Sequence, residues 1–275
     1  MQRTCEAMRS NGNRIAIVPT MGALHEGHLH LIREAKTRAD RAITTVFVNP
    51  AQFGPSEDFE KYPRDLRRDI DLAASVETDF VFAPETLEMY PRAYETYVTV
   101  ENLGNPLEGK SRPGHFRGVT TVVAKLFNIT RPHVALFGQK DAQQVLVIRR
   151  MVDDLNFGIE VVVVPTVREA DGLALSSRNA YLSPVQRHEA PVLYRSLQLA
   201  RKRIGEGAVE AKSVIMEMLE MITTQTSGTV DYISIADHQS LSELQSIELT
   251  KPVLVSLAVR FGNTRLIDNE IVRPE

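Results

Sequence analysis

Short apolar stretches alternate with helical patterns of apolar residues through the first 164 residues of the chain. Stretches rich in β-branched and aromatic residues predict strands at residues 15–18, 43–48, 80–82, 97–100, 134–137 and 159–164. Between them, apolar side chains recur every three or four positions, which predicts helices at residues 28–39, 64–76, 119–129 and 143–155. Because strands and helices alternate, we expect an α/β fold, a Rossmann-like and mainly parallel sheet with helices on both faces.

The pattern changes after residue 164. A polar loop at residues 165–178 leads into amphipathic helices predicted at residues 184–204 and 209–223, and strand-like stretches follow at residues 230–235, 253–259 and 264–267. Helices followed by strands are typical of an α+β domain. We therefore predict a Rossmann-like domain at residues 1–166 and a smaller C-terminal α+β domain at residues 167–275.

The composition is that of a globular protein, with 43% hydrophobic and 24% charged residues. A net charge of −3 argues against broad contact with nucleic acid or with an anionic membrane. Cys5 is the only cysteine, which excludes an intramolecular disulfide and is typical of a reducing compartment. Residues 1–13 are too polar for a secretory signal, and no apolar run is long enough to cross a membrane. We expect a cytoplasmic protein that binds neither membranes nor nucleic acid.

The most informative stretch joins the first predicted strand to the first predicted helix and reads PTMGALHEGH at residues 19–28. A strand, a glycine-containing loop and a helix start form an anion site, because unpaired N–H groups and the positive end of the helix dipole face the loop. His25 and His28 add donors for a phosphate chain. A zinc site of the His-Glu-x-x-His type needs histidines four residues apart, whereas these are three apart. The other alternative is a pair of ordinary surface histidines at a helix cap.

A second stretch imitates a phosphate-binding P-loop. Residues 104–111 match the Gly-x-x-x-x-Gly-Lys-Ser pattern, but Pro113 disfavours a helical conformation at Arg112 and cuts short the helix that a P-loop requires. We therefore reject the match as accidental. Arg112, His115 and Arg117 are still expected to form a basic loop.

Three further polar loops follow predicted strands. Residues 138–141 offer a lysine to phosphate oxygens, residues 175–179 offer two hydroxyls and a guanidinium, and residues 49–53 offer amides. Considered alone, each of these segments has a composition that is also common in loops without a binding function. Because ligands of parallel sheets bind at the carboxyl ends of the strands, we expect the loops to converge on one site for an anionic ligand.

Motifs along nearly the whole chain resemble those of the pantoate–β-alanine ligases, also called pantothenate synthetases. They are PTMGALHEGH (residues 19–28), FVNPAQF (47–53), RPGHFRGV (112–119), FGQKDAQQ (137–144) and DGLALSSRN (171–179). The tetrapeptide HEGH at residues 25–28 also resembles the H-x-G-H signature of the wider class of nucleotidylyl transferases. Members of the ligase family usually begin with another short strand, ahead of the point at which this chain starts.

The resemblance implies a ligase that forms an amide bond in two steps and supplies a precursor of coenzyme A. ATP and pantoate give pantoyl adenylate and pyrophosphate, and β-alanine then attacks the acyl carbon to give pantothenate and AMP. The resemblance also implies a homodimer, and Mg²⁺ held mostly by phosphate oxygens. No protein ligand for the metal is assigned, and Asp69 is the one candidate.

The resemblance further implies roles for individual residues. His28 donates a proton or stabilises charge, His25 lies beside it on the phosphates, and Lys140 binds the phosphates. Gln52 and Gln144 hold pantoate, with Gln52 also near the path of β-alanine. The second domain closes over the first as a lid. The implied ATP site comprises Met21, Gly22, Ala23, Leu24, His25, Glu26, Gly27, His28, Gly138, Gln139, Lys140, Asp141, Val167, Leu175, Ser176, Ser177 and Arg178.

Three rival hypotheses stay open. A nucleotidylyl transferase with the same sheet would transfer the nucleotide and never form an amide. A P-loop kinase would depend on Lys110. A catalytically silent module would bind ATP without releasing pyrophosphate when pantoate is added. The pair of Gln52 and Gln144 favours the ligase, because a transferase has no need of a pocket for β-alanine.

Overall fold

The computed structural model describes residues 1–55, 57 and 59–273, and the chain divides into two compact units, Met1–Pro165 and Thr166–Glu275. The strands of the first unit are β1 (Ile15–Thr20), β2 (Arg41–Val46), β3 (Phe80–Phe82), β4 (Val134–Gly138) and β5 (Glu160–Val164). They form one sheet in the order β3-β2-β1-β4-β5, in which every neighbouring pair is parallel. The predicted α/β fold is confirmed.

Helices cover both faces of this sheet. The helices described in this unit are α1 (Gln2–Ser10), α2 (Glu26–Arg38), α3 (Leu66–Ser75), α4 (Thr86–Met89), α5 (Glu108–Ser111), α6 (His115–Thr130) and α7 (Ala142–Asp154). Because successive strand residues point to opposite faces, Ile17 of β1 packs in a core with α6 and α7, whereas Ala16 and Val18 pack in a core with α2 and α3. None of the helices in the described part of the chain is long and apolar enough to cross a membrane.

The strand predicted at residues 97–100 is absent from the described structure. The backbone groups of Val98, within this segment, bond to the helix α6 rather than to a neighbouring strand. The N–H of Val98 donates to Oγ1 of Thr121 (3.0 Å), and Oγ1 of Thr120 donates to the carbonyl of Val98 (2.6 Å). The β-branched and aromatic residues of the segment predicted a strand, and threonines of α6 supply the hydrogen bonds of Val98 instead.

The polar segment at the start of the chain forms the helix α1. Its buried residues, Cys5 and Met8, pack against Ile15 of β1 and Ile43 of β2. Two apolar residues three positions apart in a short polar segment are a weak sequence signal, and the contact with the sheet stabilises the helix.

The described residues of the second unit, 166–273, form a three-stranded antiparallel sheet and three α-helices. The helices are α8 (Pro184–Glu189), α9 (Val192–Gly205) and α10 (Ala211–Gln225), and the strands are β6 (Thr229–Asp237), β7 (Val253–Phe261) and β8 (Thr264–Val272), in the order β6-β7-β8. Leu197 of α9, Val214 of α10 and Leu257 of β7 share one core. The prediction of an α+β architecture is confirmed.

The helix predicted at residues 184–204 is divided in two. α8 ends at Glu189, and Pro191 is the N-cap of α9. Proline has no N–H for the helical hydrogen bond and clashes with the preceding turn, so one continuous helix does not form.

Gly118 brings α6 into backbone contact with the turn that follows β2. That turn is a 3₁₀-helix at Pro50–Gln52, and a Cβ built on Gly118 would lie 2.2 Å from the carbonyl oxygen of Ala51. The neighbouring atom is backbone and cannot rotate away. Only glycine therefore allows α6 to support the turn that carries Gln52.

We predict that Gly118→Ala lowers the free energy of unfolding by about 1–3 kcal/mol, because overpacking outweighs the higher helix propensity of alanine. Urea-induced unfolding followed by circular dichroism measures the change. Gly205→Ala is the control, since a Cβ on this helical glycine meets nothing within 4 Å. A Gly118→Ala variant as stable as the unchanged protein would contradict the proposed packing.

Candidate functional site

The loop between β1 and α2 folds around a buried carboxylate. Asp69 in α3 is 1% exposed and accepts hydrogen bonds from the N–H of Ala23 to Oδ2 (3.0 Å) and of Leu24 to Oδ1 (2.8 Å). Gly22 has a φ of +84°, and a Cβ there would lie 2.8 Å from Oδ2 of Asp69. Ala23 also adopts a left-handed φ, at 51°. The carboxylate thus stabilises a backbone bend at which residues larger than glycine would clash or be strained at position 22.

Further amides of this loop are hydrogen-bonded within the protein. Gly22 donates to Oγ1 of Thr20 (3.2 Å), His25 donates to Nδ1 of His28 (3.3 Å), and Gly27 donates to Nδ1 of His25 (3.2 Å). The expectation that the loop presents unpaired N–H groups to an anion is wrong for these amides. The side chains of the loop are therefore its main donors.

His25 and His28 cap α2 reciprocally. His25 is the N-cap, His28 is the third helical residue, and their ring centroids lie 4.1 Å apart. Because each Nδ1 accepts an N–H, each neutral ring carries its proton on Nε2. Burial lowers the pKa of His25 to about 4 and that of His28 to about 3, and the positive charge of Lys140 acts in the same direction. The site therefore holds two neutral Nε2–H donors at pH 7.

Lys140 approaches the two histidines from the neighbouring strand. It lies in a 3₁₀-helix at Gln139–Asp141, which directly follows β4, and its Nζ is 3.7 Å from Oδ1 of Asp141. β1 and β4 are adjacent and parallel, so the loops at their carboxyl ends meet. The structure brings together His25, His28 and Lys140, which the sequence analysis placed in one site.

Arg68 is a cation that the sequence analysis missed. It lies in the first turn of α3, immediately before Asp69, and its charge also lowers the pKa of His25. The sequence carries no motif around Arg68. Its position becomes apparent only when α3 is packed against the loop after β1.

Asp69 is a poor candidate for a metal ligand. Each of its oxygens accepts a backbone N–H, and the side chain is buried beneath the loop. Within the described residues, no group of three or more His, Cys, Asp or Glu side chains could hold a metal ion. The residues present therefore do not form a magnesium site made of protein groups alone.

Gln52 belongs to a buried cluster of amides. Its Oε1 accepts a hydrogen bond from Nδ2 of Asn49 (2.9 Å), and its Nε2 lies 3.0 Å from Sδ of Met21 in the loop after β1. Asn49 also accepts from the hydroxyl of Tyr90 (2.7 Å). The sequence predicted Gln52 as a site residue. The hydrogen bond from Tyr90 to this cluster was not predicted, because it depends on a tertiary contact that no motif reveals.

The two glutamines at the start of α7 differ in their surroundings. Gln144 is half-buried in the first turn. Gln143 is buried and fixes the segment that resembles a P-loop: it accepts from the N–H of Glu108 (3.0 Å) and donates to the carbonyls of Leu103 and Pro106 (2.9 and 2.8 Å).

The P-loop resemblance fails in the structure, as predicted. Lys110 and Ser111 lie in α5, which has only four residues, and Arg112 ends it with φ −134° and ψ 71°. The phosphate-binding helix that a P-loop requires is therefore missing here.

Two of the three residues expected to form a basic loop are engaged within the fold, Arg112 by an ion pair and His115 by burial. Arg112 is paired with both carboxylate oxygens of Glu57 (2.7 Å each), and the guanidinium of Arg117 lies 3.8 Å from the ring centroid of Tyr97. Burial lowers the pKa of His115 to about 4, and the charge of Arg112 contributes. The charge of Arg112 is therefore neutralised within the fold, whereas Arg117 keeps an exposed charge stacked on Tyr97.

Other residues of the implied ATP site have local roles. The side chain of Leu24 is fully buried in the core, and Glu26 forms an exposed ion pair with Arg33. Gly138 ends β4 and Gln139 begins the turn that carries Lys140.

In the second unit, the implied nucleotide residues share one segment. The N–H of Leu175 donates to the carbonyl of Val167 (3.0 Å), and Oγ of Ser176 accepts from the N–H of Arg178 (3.2 Å). Ser176 thereby caps a 3₁₀-helix at Ser177–Tyr181. These five residues are all half-buried: Val167, Leu175, Ser176, Ser177 and Arg178.

Comparison with known proteins identifies the family. A family model described as pantoate-beta-alanine ligase matches residues 1–271. The chain is 57% identical over 266 residues to pantothenate synthetase from Moorella thermoacetica, covering 97% of this chain and 93% of that protein. The chain belongs to the pantoate–β-alanine ligase family. The family resemblance and the ligase function that the sequence analysis expected are confirmed.

Two solved structures of this family have the same fold. Pantothenate synthetase from Thermus thermophilus matches with a TM-score of 0.91 at 47% identity over 98% of both chains. Pantoate-beta-alanine ligase from Francisella tularensis, solved in complex with beta-gamma ATP and β-alanine, matches with a TM-score of 0.78 at 34% identity, over 98% of this chain and 95% of that one.

We predict that both rings of the histidine pair are neutral Nε2–H tautomers at pH 7 in the protein without nucleotide. Ring nitrogen shifts in ¹⁵N NMR spectra distinguish the forms. Because the folded-state pKa values of about 4 and 3 lie below the unfolded value of about 6.5, protonation favours the unfolded chain. The contribution to stability is therefore complete above pH 6.5 and is lost as the pH falls through about 4 for His25 and about 3 for His28. Titration of either ring near pH 6.5 would contradict the assignment.

Proposed function

We propose that this protein condenses pantoate with β-alanine in an ATP-dependent reaction, through a pantoyl adenylate intermediate. One observation carries the chemistry: two neutral imidazole donors and one lysine meet at the carboxyl ends of β1 and β4, beside the N-terminus of α2. The family assignment, and the beta-gamma ATP and β-alanine bound by the Francisella relative, support the choice of substrates.

In the first step, the carboxylate of pantoate attacks the α-phosphorus of ATP, and the bond to pyrophosphate breaks. Two anions approach each other, and negative charge grows on the leaving phosphates. The Nε2–H groups of His25 and His28 stabilise this charge by hydrogen bonding, and Lys140 stabilises it as a cation. Fixed donors in a partly dehydrated site need little reorganisation as the charge develops.

In the second step, the amine of β-alanine attacks the acyl carbon, loses a proton, and AMP leaves. Gln52 and Gln144 hold pantoate by hydrogen bonds, and Gln52 lies near the path of β-alanine. The adenylate is a reactive mixed anhydride, so its site must exclude water until the amine arrives.

The bend at Gly22 and Ala23 forms a backbone wall for the nucleotide, together with Met21 and the turn at residues 138–141. The second domain, proposed at residues 167–275, contributes to ATP binding and acts as the lid. Its contributing residues are Val167, Leu175, Ser176, Ser177 and Arg178.

Mg²⁺, when it accompanies ATP, neutralises phosphate charge, and we propose that phosphate oxygens hold it, because the described residues form no protein-only metal site. The family resemblance also leads us to propose a homodimer and a cytoplasmic location.

Product analysis tests the proposed function. With ATP and pantoate alone, pyrophosphate release should stop after about one turnover, since the adenylate stays bound. Adding β-alanine should start continuous formation of AMP and pantothenate. Nucleotide transfer with no amide product would favour a nucleotidylyl transferase. ATP binding without pyrophosphate release would favour a catalytically silent module.

We predict that Lys140→Ala lowers kcat/KM by about 100- to 1,000-fold, as expected for the loss of one charge-stabilising donor. Lys110→Ala is the matched control, because Lys110 is exposed on α5 in the segment that resembles a P-loop. Steady-state AMP formation measures both variants. A large loss in Lys110→Ala with little change in Lys140→Ala would reverse the assignment and favour the P-loop kinase.

A further inference from the structure

The carboxamide of Asn49 is fully committed to hydrogen bonds. The side chain is 1% exposed, its Oδ1 accepts from the N–H of Ala51 (3.3 Å), and its Nδ2 donates to the carbonyl of Gly118 (3.1 Å). A backbone N–H can only donate and a carbonyl can only accept. These two backbone partners therefore fix which end of the Asn49 amide is oxygen and which is nitrogen.

This orientation sets the polarity of Gln52. Nδ2 of Asn49 must donate, so the atom of Gln52 that receives its hydrogen bond is the oxygen Oε1, at 2.9 Å. The nitrogen of Gln52 is then the end that faces Sδ of Met21, at 3.0 Å. A thioether is a weak acceptor that a better one can replace. Gln52 thus presents N–H donors, rather than its carbonyl, towards the loop after β1.

Tyr90 completes the arrangement from outside the site. Its hydroxyl donates to Oδ1 of Asn49 at 2.7 Å, the shortest hydrogen bond of this cluster. Its ring is held by Phe47, at 6.3 Å between centroids, and edge-on by Tyr94, at 5.1 Å. Burial raises the pKa of the Tyr90 hydroxyl, and the neighbouring tyrosines act in the same direction, so it stays protonated and able to donate.

We propose that Tyr90 is a positioning residue for pantoate: its hydroxyl gives Asn49 a further hydrogen bond that holds the oriented amide in place, and Asn49 in turn holds Gln52 with its N–H donors towards an oxygen of pantoate. The inference rests on the proposed role of Gln52 in holding pantoate. It adds a residue that acts through a chain of two hydrogen bonds and needs no contact with substrate. A carboxylate or hydroxyl oxygen of the ligand is the matching acceptor.

Tyr90→Phe removes the hydroxyl and keeps the ring. We expect the KM for pantoate to rise about five- to tenfold, the effect of weakening one hydrogen bond, with the KM for ATP little changed. Tyr94→Phe is the matched control, because Tyr94 belongs to the same aromatic cluster and its ring packs on Lys125 rather than bonding to Asn49. Equal effects of the two variants on the KM for pantoate would overturn the inference.

A double-mutant cycle tests the proposed route. In a Gln52→Ala background, Tyr90→Phe should leave the KM for pantoate unchanged, because the residue through which it acts is gone. The same fold-change in both backgrounds would overturn the inference. Gln52→Ala with an unchanged KM for pantoate would also overturn it, while leaving amide formation by the enzyme intact. Failure of the unchanged enzyme to form pantothenate would instead overturn the proposed function.

An NMR measurement that does not depend on catalysis tests whether Tyr90 positions the two amides. The side-chain NH₂ resonances of Asn49 and Gln52 in ¹⁵N spectra should both shift in Tyr90→Phe and stay in place in Tyr94→Phe. Unshifted resonances in a folded Tyr90→Phe protein would overturn the inference. Circular dichroism confirms that each variant is folded.

Discussion

The buried carboxylate of Asp69 is the interaction on which the site depends. It accepts the N–H groups of Ala23 and Leu24 and occupies the space that any side chain at Gly22 would need. Without it, one buried and one partly buried N–H group would lack these partners, and the left-handed bend of the loop would lose its support. The bend sets where α2 begins, and α2 begins with the histidine pair. A residue buried beneath the loop thus decides where the two histidine donors lie.

This arrangement gives the site two kinds of hydrogen-bond donor: the neutral imidazoles of His25 and His28, and the charged amine of Lys140. The Nδ1 atoms of His25 and His28 accept hydrogen bonds from backbone N–H groups. Burial beside Lys140 keeps both rings neutral. Three clustered cations would repel one another before ATP binds, whereas two neutral N–H donors beside one lysine avoid that repulsion. Neutral donors are also used at Gln52, whose orientation is fixed by neutral amides and by the hydroxyl of Tyr90.

Local patterns predicted the parallel sheet and the motif residues, because strand periodicity and the loops after strands depend on neighbours along the chain. Longer-range contacts were not predictable. Asp69 lies 46 residues from Ala23, and only the packing of α3 shows that they meet. Residues 97–100 have the composition of a strand, yet threonines of α6 take the hydrogen bonds of Val98. The loop after β1 was expected to have unpaired N–H groups, because a sequence does not show that side chains accept these hydrogen bonds. Two of the accepting side chains are the histidines themselves.

Amide hydrogen exchange at Ala23 and Leu24 in the nucleotide-free protein tests the role of Asp69 most directly. In Asp69→Asn, one carboxamide end is an NH₂ group that cannot accept, so at least one of the two bonds is lost. We predict faster exchange at these amides, and no change in Asp71→Asn, which alters an exposed carboxylate on the same helix. Unchanged protection in Asp69→Asn, with a loss only of Mg²⁺-dependent ATP binding, would contradict the account and make Asp69 a metal ligand.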